Sequence, residues 1–202
     1  MAVRWYVHNS HIGEESKILD PGDTGVTSGA RRDEDPRHPA PSLIVGLGND
    51  IAGDDGIGIH VARILAQRLK HRPDVDVVAL PWAGLALLDL LHGRARVGIV
   101  DCLISGSHPP GTVVRLDEQN IAGSVRLNSF HDLSFPTALA LGRRMGWQMP
   151  DEVAIWAVEA ASVGVFHEGL SPAVAAAVEP LVRALTAFIE TKQPSEPIGA
   201  MR

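Results

Sequence analysis

The chain of 202 residues has one cysteine, no long uninterrupted apolar run and no excess of basic residues. A lone Cys102 excludes an internal disulfide and any zinc-ribbon set of thiolates. No stretch approaches the ~18 consecutive apolar residues of a transmembrane helix. The start, Met1 to Tyr6, lacks an apolar segment of signal-peptide length, and the expectation is a cytoplasmic protein. Eighteen Lys and Arg against 24 Asp and Glu leave a net charge of −6. That balance gives no electrostatic reason to expect a nucleic acid or an anionic membrane as partner. What is present is a globular composition, 45% hydrophobic and 21% charged, enough for one domain with a full core.

Residues 1–41 differ from the rest, with seven acidic and five basic side chains, many Gly, Ser, Asp and Pro, and no sustained period. Such a stretch buries too little apolar surface to offset chain entropy, so a disordered extension is expected. A docking tail through Arg31, Arg32 and Arg37 is the less favoured reading. The domain is expected over residues 42–192, with 193–202 as a flexible tail.

From Ser42 the pattern is regular. SLIVGLG (42–48) is an apolar run ending in glycine, typical of a buried parallel strand. Ile57, Val61, Ile64, Leu65 and Leu69 share one helical face. Further strands are predicted at 74–80, 96–104 and 152–160, an edge strand at 111–117, and helices at 85–91, 136–147 and 171–192. Ser171 can cap the last helix and Pro172 suits its first position, while Pro180 should kink or split it. Strands alternating with helices indicate a three-layer α/β/α sandwich around a mostly parallel, five-stranded twisted sheet. In that architecture ligands bind beyond the carboxyl ends of the strands.

The first such end reads Gly46-Leu47-Gly48-Asn49-Asp50-Ile51-Ala52-Gly53-Asp54-Asp55-Gly56-Ile57-Gly58. It is not a dinucleotide fingerprint, because Ile51 stands where the third glycine belongs and the aspartates would repel a pyrophosphate. Nor is it a P-loop, since no Gly-Lys-Ser/Thr follows. Either Asp54 or Asp55 taken singly reads as a helix cap; together, one can cap while the other faces outward. The framing glycines would let a partner's backbone come close. Asp101 closes the apolar strand Gly98-Ile99-Val100, where a carboxylate needs either local hydrogen bonds or a cation. Cys102 faces the opposite side and reads as a small buried apolar residue. His8, His11 and His38 lie in the extension, and His60 and His71 on or beside the first helix. His131 stands apart, in the loop Asn128 to Leu133 before a helix on the same sheet edge. Two carboxylates and an imidazole with open coordination positions suit Ni, Zn, Fe or Mn.

These residues resemble the hydrogenase maturation proteases, endopeptidases that process the large subunit of nickel–iron hydrogenases. The resemblance rests on Gly46-Leu47-Gly48-Asn49 with Asp54-Asp55-Gly56-Ile57-Gly58, on Ile99-Val100-Asp101, on His131, and on Gly169-Leu170-Ser171-Pro172 with Glu179-Pro180. It implies that Asp55, Asp101 and His131 form the metal-recognising and catalytic triad, with Gly48, Asn49, Asp54 and Gly84 contacting substrate. It implies as substrate a nickel-loaded large-subunit precursor, whose C-terminal peptide is removed and whose nickel is the recognition signal. The chemistry at the scissile bond is open between a metal-polarised carbonyl with bound water and an aspartate general base. No Ser-His-Asp or Cys-His set points to an acyl-enzyme. One departure is Pro81-Trp82-Ala83-Gly84, where the family has a glycine-rich stretch. A non-catalytic metallochaperone would use the same three residues, and a nucleotide-binding protein is the weakest alternative.

Overall fold

A computed structural model describes residues 40–81, 84–116, 135–161 and 168–191. The tail residues 1–39 and 193–202, with the expectations placed on them, lie outside the described residues. Ala40 and Pro41 are joined to the domain: the Ala40 carbonyl accepts from Arg94 Nη1 at 2.7 Å, and that of Pro41 accepts from the Ala95 and Arg96 N–H groups at 2.8 and 3.1 Å.

The strands are β1 (Ser42–Leu47), β2 (Val75–Leu80), β3 (Arg96–Leu103), β4 (Val113–Leu116) and β5 (Glu152–Glu159). They form one sheet in the order β2-β1-β3-β5-β4. Four of them are parallel, and the edge strand β4 runs antiparallel to β5. Every residue of β1 and β3 is buried, as unbroken apolar runs require when helices cover both faces.

The helices are α1 (Ile57–Arg68), α2 (Gly84–Leu91), α3 (Phe135–Arg144), α4 (Pro172–Ala175) and α5 (Val178–Glu190). Ile44, Val100, Cys102 and Trp156 pack with α1 and α5 on one face, and Cys102 is the buried apolar residue its position suggests. Val45, Ile99, Leu103 and Ala157 pack with α2 and α3 on the other. The three-layer sandwich expected from the sequence is the one observed. The last helix, expected to be kinked or split, is split into α4 and α5. The break falls at Ala176–Ala177, and Pro180 sits in the first turn of α5, where a missing N–H costs least.

The β1-to-β2 crossover through α1 lies on one face and the β2-to-β3 crossover through α2 on the other. The switch in winding therefore falls between β1 and β3, and the crevice for a ligand opens at their carboxyl ends. The opposite end is closed by Arg96. It donates to Glu152 Oε2 at 2.8 Å and to the Thr191 carbonyl, and stacks 4.4 Å above the Phe188 ring.

Glycines set how closely α1 lies on the sheet. A Cβ on Gly58 would stand 2.2 Å from the Leu47 carbonyl oxygen and 2.6 Å from that of Val100. One on Gly46 would stand 2.1 Å from the Gly58 carbonyl oxygen. The framing glycines thus admit the chain's own backbone, not a partner's, which corrects the expectation for Gly56 and Gly58. A Cβ on Gly56 would likewise meet Asp50 Cα at 2.9 Å. Gly58→Ala is expected to lower unfolding free energy by about 3 kcal/mol, at the upper end of overpacking costs. Gly106→Ala, with nothing within 4 Å of its Cβ but a φ of +65°, should cost about 1 kcal/mol. Urea denaturation of both variants checks the order.

Candidate active site

The loop leaving β1 turns at Gly48 (φ +142°), where the Asp55 carbonyl oxygen lies 1.9 Å from any added Cβ. The Gly48 N–H donates to the Leu80 carbonyl at 3.1 Å, and the Asn49 N–H to that of Asp55 at 3.2 Å. Asn49 Oδ1 accepts from the Ile51 N–H at 3.2 Å, and Asp50 pairs with Arg63 of α1. The loop closes on itself and delivers Asp54–Gly56 as a 3-10 turn directly ahead of α1.

The two adjacent aspartates have separate surroundings. Asp54 is 2% exposed, and its carboxylate accepts three hydrogen bonds from distant chain. Oδ1 takes the Ser171 N–H at 2.7 Å; Oδ2 takes the Ala161 N–H at 2.9 Å and the Ser171 hydroxyl at 3.0 Å. Asp54 caps nothing in its own helix: it fastens the end of β5 and the start of α4 to the 3-10 turn. Ser171 Oγ in turn accepts from the Val174 N–H at 3.5 Å, the cap expected for that helix. Asp55 is 4% exposed, and its turn packs against β3.

Asp101 is fully buried near the carboxyl end of β3, and its Oδ1 accepts the Cys102 N–H at 2.8 Å. By strand alternation it shares a face with Ile99 and Leu103, towards α2 and α3. Asp101 stands near the carboxyl end of β3 and Asp55 in the turn that follows β1, so both belong to the carboxyl rim of two hydrogen-bonded neighbouring strands. His131 lies outside the described residues. The helix that follows it, α3, packs on the face towards which Asp101 points. Among the described residues no three His, Cys, Asp or Glu side chains gather as a metal site. Gly84 begins α2 after β2, at the same end of the sheet. His60, half-buried on α1, has its pKa lowered, first by burial and then by Arg63, against an upward pull from Asp50.

One charged residue escaped the sequence reading. Glu159, 2% exposed, closes β5 as Asp101 nearly closes β3, paired in register with Leu103. Its carboxylate accepts from the Ser105 N–H at 2.9 Å, the Gly106 N–H at 2.7 Å and the Ser105 hydroxyl at 2.6 Å. Burial pushes its pKa up, but the Ser105 hydroxyl, the two N–H groups and the charge of His108 together bring it below the ordinary glutamate range. The signal was available: a carboxylate closing an apolar strand demands a partner wherever it occurs.

Three comparisons bear on the whole. The family model for hydrogenase maturation protease matches residues 59–187, a span that holds Asp101 and His131 and begins just after Asp55. The chain belongs to the hydrogenase maturation protease family. It is 30% identical over 148 residues to the hydrogenase 2 maturation protease of Escherichia coli K12, covering 73% of this chain and 89% of that one. The solved hydrogenase maturating endopeptidase HybD of E. coli superposes with a TM-score of 0.60 at 28% identity, covering 73% and 91% of the two chains. HybD from Thermococcus kodakarensis gives 0.52 at 25% identity, covering 73% and 97%. The activity is that of an endopeptidase of hydrogenase maturation.

Asp54→Ala should lower stability by about 2–4 kcal/mol, since it strands buried donors, and Asp54→Asn by less. Chemical denaturation of the two variants tests this. For Glu159 the folded-state pKa lies below the unfolded one, so its contribution is complete above the ordinary glutamate range and is lost as pH falls through the folded value. Thermal melts between neutral and acid pH should show a shallower acid loss in Glu159→Gln than in the parent.

Proposed function

We propose that this endopeptidase acts on the nickel-loaded precursor of a nickel–iron hydrogenase large subunit, removing its C-terminal peptide. The precursor's nickel is the recognition signal, engaged by Asp55, Asp101 and His131. The observation that carries this reading is the pair of carboxylates at the winding switch. Asp101 is fully buried near the end of β3 and Asp55 nearly so in the turn after β1, at the carboxyl ends of neighbouring parallel strands, where such folds bind ligands. A cation beside two buried carboxylates offsets part of the cost of desolvating them. Two oxygens and an imidazole nitrogen would hold one side of a nickel ion and leave positions for the precursor's thiolates. A divalent ion beside the scissile carbonyl polarises it towards attack by water.

The geometry supports assigning the metal to Asp55 rather than Asp54, whose two oxygens already accept three donors. Asn49, in the loop after β1, and Gly84, at the start of α2 after β2, lie at the carboxyl end of the sheet, which supports giving them substrate contact. Gly48 and Asp54 shape the loop from behind.

Purified protein should shorten the nickel-loaded precursor and leave the metal-free precursor at full mass. Asp55→Ala, Asp101→Ala and His131→Ala should each reduce cleavage by at least about a hundredfold while the fold is kept. Mass spectrometry of the incubated precursor reads the outcome. Undiminished cleavage by the triple variant would sink the assignment. A stable complex with an uncut precursor would favour the metallochaperone reading instead.

A further inference from the structure

The chain between β3 and β4 runs over the rim beside Asp101. All of residues 104–110 are exposed, including Ile104, which is 50% exposed despite its size. A loop so open to water has little apolar burial of its own to fix its shape. It is fixed instead by one residue at both ends. The side chain of Glu159 holds Ser105 and Gly106 at the start through three hydrogen bonds. Its backbone holds the finish, the Gly111 N–H donating to the Glu159 carbonyl at 2.8 Å and the Glu159 N–H to the Thr112 carbonyl at 3.0 Å. Inside the bracket Ser105 Oγ accepts from the Ser107 N–H at 3.1 Å, and Thr112 Oγ1 donates to the Pro109 carbonyl at 2.6 Å.

Burying a carboxylate to tie down a solvent-exposed loop is a poor route to stability, because desolvation offsets most of the gain. It does produce a rigid surface. The loop starts at the residue after β3, three positions beyond Asp101, and so lies at the same carboxyl rim of the sheet.

We propose that Glu159 is a positioning residue that holds the 104–111 loop as a fixed wall against which the precursor's C-terminal segment is laid, with Ile104 as its apolar contact. This rests on the endopeptidase reading above. The wall binds the peptide and takes no part in bond breaking, so its loss weakens substrate binding and spares the chemical step.

The experiment compares parent, Glu159→Ala, Glu159→Gln and Ser105→Ala on the nickel-loaded precursor, after circular dichroism has verified folding. Glu159→Ala should raise KM about tenfold with kcat within about twofold. Glu159→Gln should recover most of the loss. The amide oxygen can accept both N–H groups, and its NH2 can donate to a Ser105 hydroxyl turned to accept. Ser105→Ala, which keeps the N–H bonds, should raise KM by about two- to fourfold. It stands in for Glu159→Ala if that variant does not fold. Hydrogen exchange should quicken at the Ser105 and Gly106 amides in Glu159→Ala and remain slow in Glu159→Gln. A kcat loss at constant KM, an unchanged KM in Glu159→Ala or Ser105→Ala, or a Gln variant as impaired as the Ala variant would overturn the proposal.

The two readings can fail separately. If the parent leaves the precursor uncut, the endopeptidase reading falls, and the wall is judged by binding of the intact precursor. A tenfold weaker Kd in Glu159→Ala then supports it and equal Kd values overturn it, while a parent that neither cuts nor binds overturns both.

Discussion

The site depends on a backbone-to-backbone contact. Gly46 of β1 and Gly58 of α1 leave no room for a Cβ between helix and strand, and Gly58 also lies against the Val100 carbonyl of β3. With α1 seated that low, the 3-10 turn carrying Asp54 and Asp55 is pressed against β3 rather than held out in solvent. A side chain at either glycine would force helix and strand apart by roughly an ångström and shift the turn that carries the two aspartates.

Buried carboxylates then divide the labour at this rim. Asp54 and Glu159 each accept three hydrogen bonds from chain remote in sequence, and each thereby fixes a connection that the sheet alone does not hold. Asp54 ties Ala161 and Ser171 to the turn; Glu159 brackets the loop after β3. Asp55 and Asp101 are buried at the same carboxyl rim, and the proposed function gives them the precursor's cation. Asp54 and Glu159 shape the rim, and the proposed function assigns the chemistry to Asp55 and Asp101.

Much of this was legible from residue order. The apolar run 42–47, the α1 stripe Ile57-Val61-Leu65 and the Ser171-Pro172 start are each local patterns, governed by strand burial, helix period and capping, and each appears where expected. Less local features were misjudged. The glycines of the 46–58 segment looked like room for a partner, because a sequence does not show which backbone fills the space above a glycine. Glu159 passed as the polar end of a strand, although the reasoning applied to Asp101 fitted it equally.

Local periodicity and strand-end chemistry, both short-range effects, sufficed to establish the layered α/β class and to mark Asp55, Asp101 and His131 as candidates. Only the folded chain decided the strand order β2-β1-β3-β5-β4, which makes β1 and β3 neighbours and opens the crevice between their ends. It also decided that Asp54 is the carboxylate that ties Ala161 and Ser171 to the turn. The first rests on pairing between residues such as Ser42 and Arg96, and the second on hydrogen bonds from Asp54 to Ala161 and Ser171, and no pattern within a short window of sequence encodes either.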